Sequence, residues 1–430
     1  MRKIIDDTDS LEHTGTISQV VGMTVEASGP TASVGDICKI YHKGGGHVLA
    51  EVEGFKENKV LLMPLGSLTG IGAGDRIVST GTSFKIGVSD ELCGRVLGAL
   101  GTPIDDGPPV KPKEYYPIDN SPPSPLERER IHEVLPLGVR AIDGLLTIGV
   151  GQRMGIFAGS GVGKSTLLGM IARNAEADIN VIVLVGERGR EVKDFLEKDL
   201  QEEGLKKSVL VVATSDQPAL LRLKSAMVGT SIAEYFRDQG YKVMLMMDSL
   251  TRFAMAQREI GMAIGEPPVS RGFTPSVYAM LPKLLERTGT SNKGSITAIY
   301  TVLVEGDDMN EPISDTVRGI LDGHMVLSRK LANNNHYPPI DILQSISRLM
   351  KEIIPDEHNK MAGAIRNSMS TYNESQDLIS IGAYKPGSNP EVDTAIRLRE
   401  PIEKLLIQGV DDISGMEDTI ARMRAIVPQN

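Results

Sequence analysis

The chain has 430 residues, with 46 Lys and Arg against 56 Asp and Glu and a formal charge of −10. That length exceeds one ordinary core and predicts two or three domains. The acidic balance disfavours nucleic acid as the main ligand, and the lack of Trp leaves little for an aromatic stacking platform.

The start, MRKIIDDTDS, has no apolar core of a secretory signal. The first 95 residues carry short stretches rich in Val and Ile, "TGTISQVVGMTVEAS", "HVLAEVEGF", "NKVLLMPL" and "DRIVSTG", separated by Gly, Asn and Asp. This pattern predicts a small antiparallel β-barrel over 1–95. Cys38 and Cys93 have no neighbours at metal-ligand spacing and read as packing residues in a reducing compartment.

Residues 101–138 hold nine of the 24 prolines. Proline disfavours helix interiors and central strands, so this segment reads as an extended surface strap. Strand-like and helix-like runs then alternate. Strands are expected at Met154–Ala158, Val181–Val185, Val209–Ala213, Val243–Met247 and Ile296–Val304. Helices are expected from Lys164, through "REVKDFLEKDLQEEG", and from "SDQPALLRLKSAM", where Ser215 or Asp216 would cap and Pro218 would fill the first turn. Alternation of this kind predicts an α/β domain over 96–345, with a mostly parallel sheet and helices on both faces. Beyond Ile346 the strand signal fades. "EPIEKLLIQGV" has helical spacing with Pro401 suited to a helix start, and 346–430 reads as a C-terminal helical domain. The longest apolar runs are strand-length, so no transmembrane segment is expected.

The decisive motif is Ala158-Gly159-Ser160-Gly161-Val162-Gly163-Lys164-Ser165, followed by Thr166, between an apolar strand and an apolar helix. Glycines let consecutive N–H groups turn inward as a nest for phosphate oxygens, and the helix start adds its dipole. Lys164 opposes that dipole unless it meets negative charge. The stretch reads as a P-loop, with Ala158 where the strict pattern has Gly, and with Ser165 as a Mg²⁺ ligand. In a parallel sheet every strand ends at the ligand edge. Glu187 and Asp248 follow two such strands. Asp248 is then a second Mg²⁺ support through water, or else a cap for the helix after it. Glu187 is a candidate to orient the attacking water, or else a surface ion-pair partner of Arg188 or Arg190.

Together, "GERGREV", "MMDSLTRFAMAQREI", "GEPPVSRGFTPSVYAMLPKLLERTG", "GSITAIYTVLVEGDDMNEPISD" and "LDGHMVLSRKLA" resemble the rotary and protein-export ATPases over nearly the whole chain. "GVRAIDGLLTIGVGQRMGIFAGSGVGKSTLLGMIARN" is most similar to the flagellar export ATPases. The resemblance implies a RecA-like core that hydrolyses ATP with Mg²⁺. It implies Glu187 as catalytic carboxylate, Arg188 and Arg252 near the γ-phosphate, and Tyr337 stacking on adenine. Tyr337 alone would read as a loop or core tyrosine.

Arg348, alone a solvated or ion-paired arginine, matches an arginine finger lent to a neighbouring subunit. A head-to-tail homohexameric ring is implied. The implied partners are a central stalk protein, a regulatory stator protein, export chaperones and substrates, and a membrane export gate. The implied place is the cytoplasmic face of the export apparatus. The segment ahead of the barrel is shorter than in many export ATPases, which predicts weaker intrinsic ring assembly. The injectisome ATPases share every motif. The acidic balance counts against a hexameric nucleic-acid motor, and the short chain and "AGSGVGKST" against an ATP synthase catalytic subunit.

Overall fold

The computed structural model describes residues 12–427 except 43, 305 and 307. The stretch ahead of the barrel, on which the expectations about a secretory signal and a short assembly segment fall, lies outside these residues.

The N-terminal part is a closed six-stranded barrel of β1 (Thr14–Val21), β2 (Thr24–Ser28), β3 (Asp36–Tyr41), β4 (His47–Lys56), β5 (Lys59–Pro64) and β6 (Arg76–Ser83), paired in the order β1-β2-β5-β4-β3-β6. Its interior is filled by alternating apolar side chains, among them Ile17, Val25, Cys38, Ile40, Val52, Leu62 and Ile77. Closure removes the exposed strand edges that invite aggregation. Both cysteines are free thiols, Cys38 buried in the barrel and Cys93 half-buried.

β7 (Lys85–Val88) leaves the barrel and pairs with β9 (Glu114–Pro117). The strap is therefore more than an extended surface segment: it contributes a strand, and it buries Ile118, Leu135 and Leu137. Polar clamps hold it. Arg287 donates to the Ile118 carbonyl at 2.6 Å and to both carboxylate oxygens of Glu234 at 2.8 Å, all inside the protein.

The main sheet contains β8 (Val96–Gly98), β10 (Arg153–Ala158), β11 (Ile179–Glu187), β12 (Ser208–Thr214), β13 (Lys242–Asp248), β14 (Gly289–Thr290), β15 (Ser295–Leu303), β16 (Gly323–Leu327) and β17 (Ile340–Ser347). Its order is β17-β16-β10-β15-β13-β11-β12-β8, with β14 beside β15. Pairing is parallel except at β14 and β17. The five expected strands are all present and central.

Eight helices matter for the site and its support: α1 (Arg140–Leu145), α2 (Lys164–Asn174), α3 (Ala219–Asp238), α4 (Leu250–Ile264), α5 (Pro275–Leu285), α6 (Asp356–Ser380), α7 (Pro390–Leu406) and α8 (Met416–Ile426). One face of the sheet buries against α3, α4 and α5, through side chains such as Tyr235, Phe253 and Leu281. The other buries against α1, α2 and the C-terminal helices, through Ile142, Leu168, Ile365, Ile402 and Met423.

Two expected helix starts are corrected. Neither Ser215 nor Asp216 caps α3. Pro218 occupies that position. Pro401 does not start a helix. α7 begins at Pro390, with the Asn389 side chain accepting from the Glu391 N–H, and Pro401 lies inside it. Burial of Ile402, Leu405 and Leu406 offsets the hydrogen bond that Pro401 forgoes.

The domains are tied by specific contacts. Lys224 on α3 reaches Glu51 on barrel strand β4 at 2.7 Å. Arg140 Nε donates to the Leu405 carbonyl at 2.9 Å, and His358 Nε2 meets the Gly144 carbonyl at 2.8 Å. Among the described residues, no helix is long and apolar enough to cross a membrane.

Candidate active site

The P-loop joins β10 to α2. Gly161 and Gly163 have φ of 75° and 92°, left-handed values that a side chain rarely tolerates. These two turns fold the loop into a cradle at the helix start. Val162, between them, buries its side chain in the core and offers the cradle only its backbone. The loop floors a cleft of about 690 Å³ whose lining includes Gly159, Ser160, Lys164, Ser165, Thr166, Glu187, Arg188 and Arg252.

Strand order explains why these groups meet. β11 and β13 are neighbours in the parallel sheet, with Leu184 opposite Asp248, so both deliver their last residues to one edge. Glu187 is 8 % exposed and Asp248 3 %. Lys164 Nζ contacts Asp248 Oδ1 and lies 3.9 Å from Glu187 Oε1. Burial first, and the Asp248 carboxylate second, push the Glu187 carboxyl up to about 7 against the opposing pull of Lys164.

The bland alternatives for both acids do not describe the structure. Arg188 pairs with Glu191 at 3.3 Å and Arg190 with Asp194 at 3.6 Å, so neither guanidinium takes Glu187. The cap of α4 is Ser249, whose hydroxyl accepts from the Arg252 N–H at 3.3 Å. Asp248 is free of that duty.

Arg252 projects from the first turn of α4 and packs beside Gly186, where an added Cβ would lie 3.4 Å from its side chain. Arg188 is largely solvated at the cleft mouth. Tyr337 stands over the cradle: a Cβ on Gly163 would lie 3.6 Å from its ring, which is 43 % exposed. Arg348, just past β17, is not among the residues lining this chain's own cleft. It donates to the Arg318 carbonyl at 3.2 Å from an exposed position.

Residues 138–347 match the ATP synthase alpha/beta family, nucleotide-binding domain. Residues 17–81 match the beta-barrel domain of that family, and residues 354–425 the T3SS EscN ATPase C-terminal domain. The chain is 55 % identical over 426 residues to the flagellum-specific ATP synthase of Bacillus subtilis, covering 98 % of this chain and 97 % of the relative. It is 48 % identical to the type 3 secretion system ATPase of Xanthomonas euvesicatoria, covering 96 % and 93 %. The assembled ATPase EscN of enteropathogenic E. coli superposes with a TM-score of 0.90 at 48 % identity, covering 96 % of this chain and 99 % of EscN. The chain belongs to the flagellum-specific and type 3 secretion ATPase family.

In this ATPase the donors at the cleft fit magnesium. The Ser165 hydroxyl and the Asp248 carboxylate are hard oxygen donors of the kind that ion takes, in the small number it needs when substrate phosphates and water complete its shell. Among the described residues no group of three or more His, Cys, Asp or Glu forms a closed metal cage.

Two polar side chains that contact site residues escape the motif pattern. Arg329 donates to the Ser160 carbonyl at 3.1 Å and steadies the tip of the P-loop. Thr301 donates to Asp248 Oδ1 at 2.8 Å from the middle of the sheet. The signal for Thr301 is faint: β15 carries four hydroxyls, on Ser295, Thr297, Tyr300 and Thr301, and nothing in the sequence singles out this one.

Proposed function

We propose that this chain hydrolyses ATP with magnesium and uses the energy for flagellar type III protein export. The observation that carries the hydrolytic reading is the meeting of Lys164, Glu187 and Asp248 over one glycine cradle. The flagellar assignment draws support from the 55 % identity to the Bacillus subtilis flagellum-specific relative.

The P-loop N–H groups and Lys164 hold the β- and γ-phosphates, and Tyr337 stacks on the adenine. Ser165 and Asp248 would hold magnesium, which would supply charge to offset the phosphates. Glu187 accepts a hydrogen bond from water and aims its oxygen at the γ-phosphorus. A phosphorus–oxygen bond to that water forms as the bond to the ADP oxygen breaks, yielding ADP and phosphate. Arg188, Arg252 and a neighbour's Arg348 meet the charge that spreads over the transferring group. Catalysis of this kind is mostly positioning and electrostatics.

We place the chain in a head-to-tail hexameric ring, with units at 1–95, 96–345 and 346–430, at the cytoplasmic face of an export gate. The solved assembly of EscN with its central stalk EscO supports a ring around a stalk. Stator, chaperone and substrate contacts complete the proposal. A second reading, an injectisome ATPase, is favoured by the 48 % identical Xanthomonas euvesicatoria relative.

The test is phosphate release from Mg·ATP by the purified chain, followed by deletion of its gene. The expected result is turnover in the wild type, none in Glu187→Gln, and loss of flagellar filaments in the deletion strain. A deletion strain that still builds filaments, even with its membrane potential limited, excludes the flagellar reading. If that strain loses protein injection instead, the second reading holds.

A further inference from the structure

We infer that Thr301 is a positioning residue for Asp248, holding its carboxylate by Oδ1 so that Oδ2 stays available as an acceptor for magnesium when that ion is bound; this rests on the nucleotide-site reading above. Thr301 is 0 % exposed. It lies in β15 opposite Ile156 of β10, between strands that bury apolar side chains on both sides. A hydroxyl placed there must find an acceptor, because an unmet polar group is costly in such surroundings. It finds Asp248 Oδ1 at 2.8 Å.

The second donor to Asp248 is Lys164, and it addresses the same oxygen. Among the described residues, none donates to Oδ2. The carboxylate is therefore held by Oδ1, with Oδ2 left over. The two donors differ in permanence. Lys164 is a mobile cation on a flexible stem, drawn to phosphate when a nucleotide enters. Thr301 is fixed in a central strand. As Lys164 leaves, the Thr301 hydroxyl remains to prevent rotation of the carboxylate, and Oδ2 stays directed at its acceptor role. Partners that orient a metal-supporting group commonly matter about 10–100-fold for metal affinity or activity.

The experiment measures ADP affinity by calorimetry in magnesium and in EDTA, for the full chain and its variants. In the wild type, magnesium raises ADP affinity. Thr301→Val, which keeps the shape and removes the hydroxyl, should leave the EDTA affinity unchanged and reduce the magnesium enhancement about tenfold. Thr301→Ala should match it, and Thr301→Ser should restore the wild-type enhancement. Adding Thr301→Val to Asp248→Asn should cost nothing further, because the group it positions is already altered. The inference is overturned if Thr301→Val keeps the wild-type enhancement, if it weakens ADP equally with and without magnesium, or if Ser behaves as Val does. A wild type indifferent to magnesium would instead reject the nucleotide-site reading itself.

Discussion

Lys164, at the first position of α2, contacts Asp248 at the end of β13. Each neutralises the other in a place where an isolated charge would be expensive. In the mechanism proposed above, nucleotide entry would exchange partners, giving Lys164 the phosphates in place of Asp248. Lys164→Ala should weaken nucleotide binding about 10–100-fold, the range of a charge-assisted hydrogen bond. It should also lower the melting temperature of the nucleotide-free protein, since Asp248 is left buried and unpaired. Equal melting temperatures for the variant and the wild type would show that the pair adds no stability.

In the mechanism proposed above, Glu187 acts on the attacking water as a carboxylate. Because its carboxyl is pushed up to about 7 in the free protein, kcat/KM should rise with pH through a limb near that value. Glu187→Gln should keep nucleotide affinity and lose turnover together with the limb. The stability consequence has the opposite sense. A carboxyl raised on folding stabilises fully below its unfolded value near 4.5, and that contribution is lost as pH rises through about 7. Denaturation of the nucleotide-free protein should show this decline in the wild type and a smaller one in Glu187→Gln.

Arg348 does not line its own cleft; as the proposed arginine finger it would serve a neighbouring subunit. Arg348→Ala should reduce turnover by about 10³-fold or more in assembled protein. Mixing it with Lys164→Ala chains, which are inactive but carry Arg348, should restore part of the activity. Mixed assemblies no faster than Arg348→Ala alone would remove the finger from the mechanism.

The strap clamp is a stability element remote from the chemistry. Arg287→Met leaves Glu234, itself 0 % exposed, without its cation and the Ile118 carbonyl without that donor. Breaking such a pair by removing one partner costs about 3–5 kcal/mol. Urea denaturation should register the loss, and the double variant Arg287→Met/Glu234→Leu should recover much of it. A double variant as unstable as the single would point to lost packing instead.

The parts of this molecule that were readable from residues alone are those set by local rules. Gly161 and Gly163 announce a turn that only glycine makes easily, and Lys164 at a helix start announces an anion. Apolar runs ending in Glu187 and Asp248 place both acids at one sheet edge once parallel pairing is accepted. Where the sequence was silent, distant partners decide. β3 is not legible because it buries Ile37 and Cys38 in succession, which breaks the two-residue alternation. β8 and β16 are too short to show a period, and β9 lies among prolines that it tolerates because it pairs only with β7. Pro401 reads as a helix start by local preference and is overruled by the burial of its neighbours. Arg329 and Thr301 take their meaning from Ser160 and Asp248, which the fold alone brings near.

The strand order has one more consequence. β17, which leads into Arg348, lies two strands from β10, which ends in the phosphate cradle, with β16 pairing to both. In the proposed ring, a protomer would thus carry its triphosphate seat and the guanidinium it lends next door on one hydrogen-bonded sheet. A tilt of that sheet as one seat fills or empties would reposition the guanidinium offered to the adjacent seat. Firing order around a ring could then be passed on through the sheet itself, without a separate messenger.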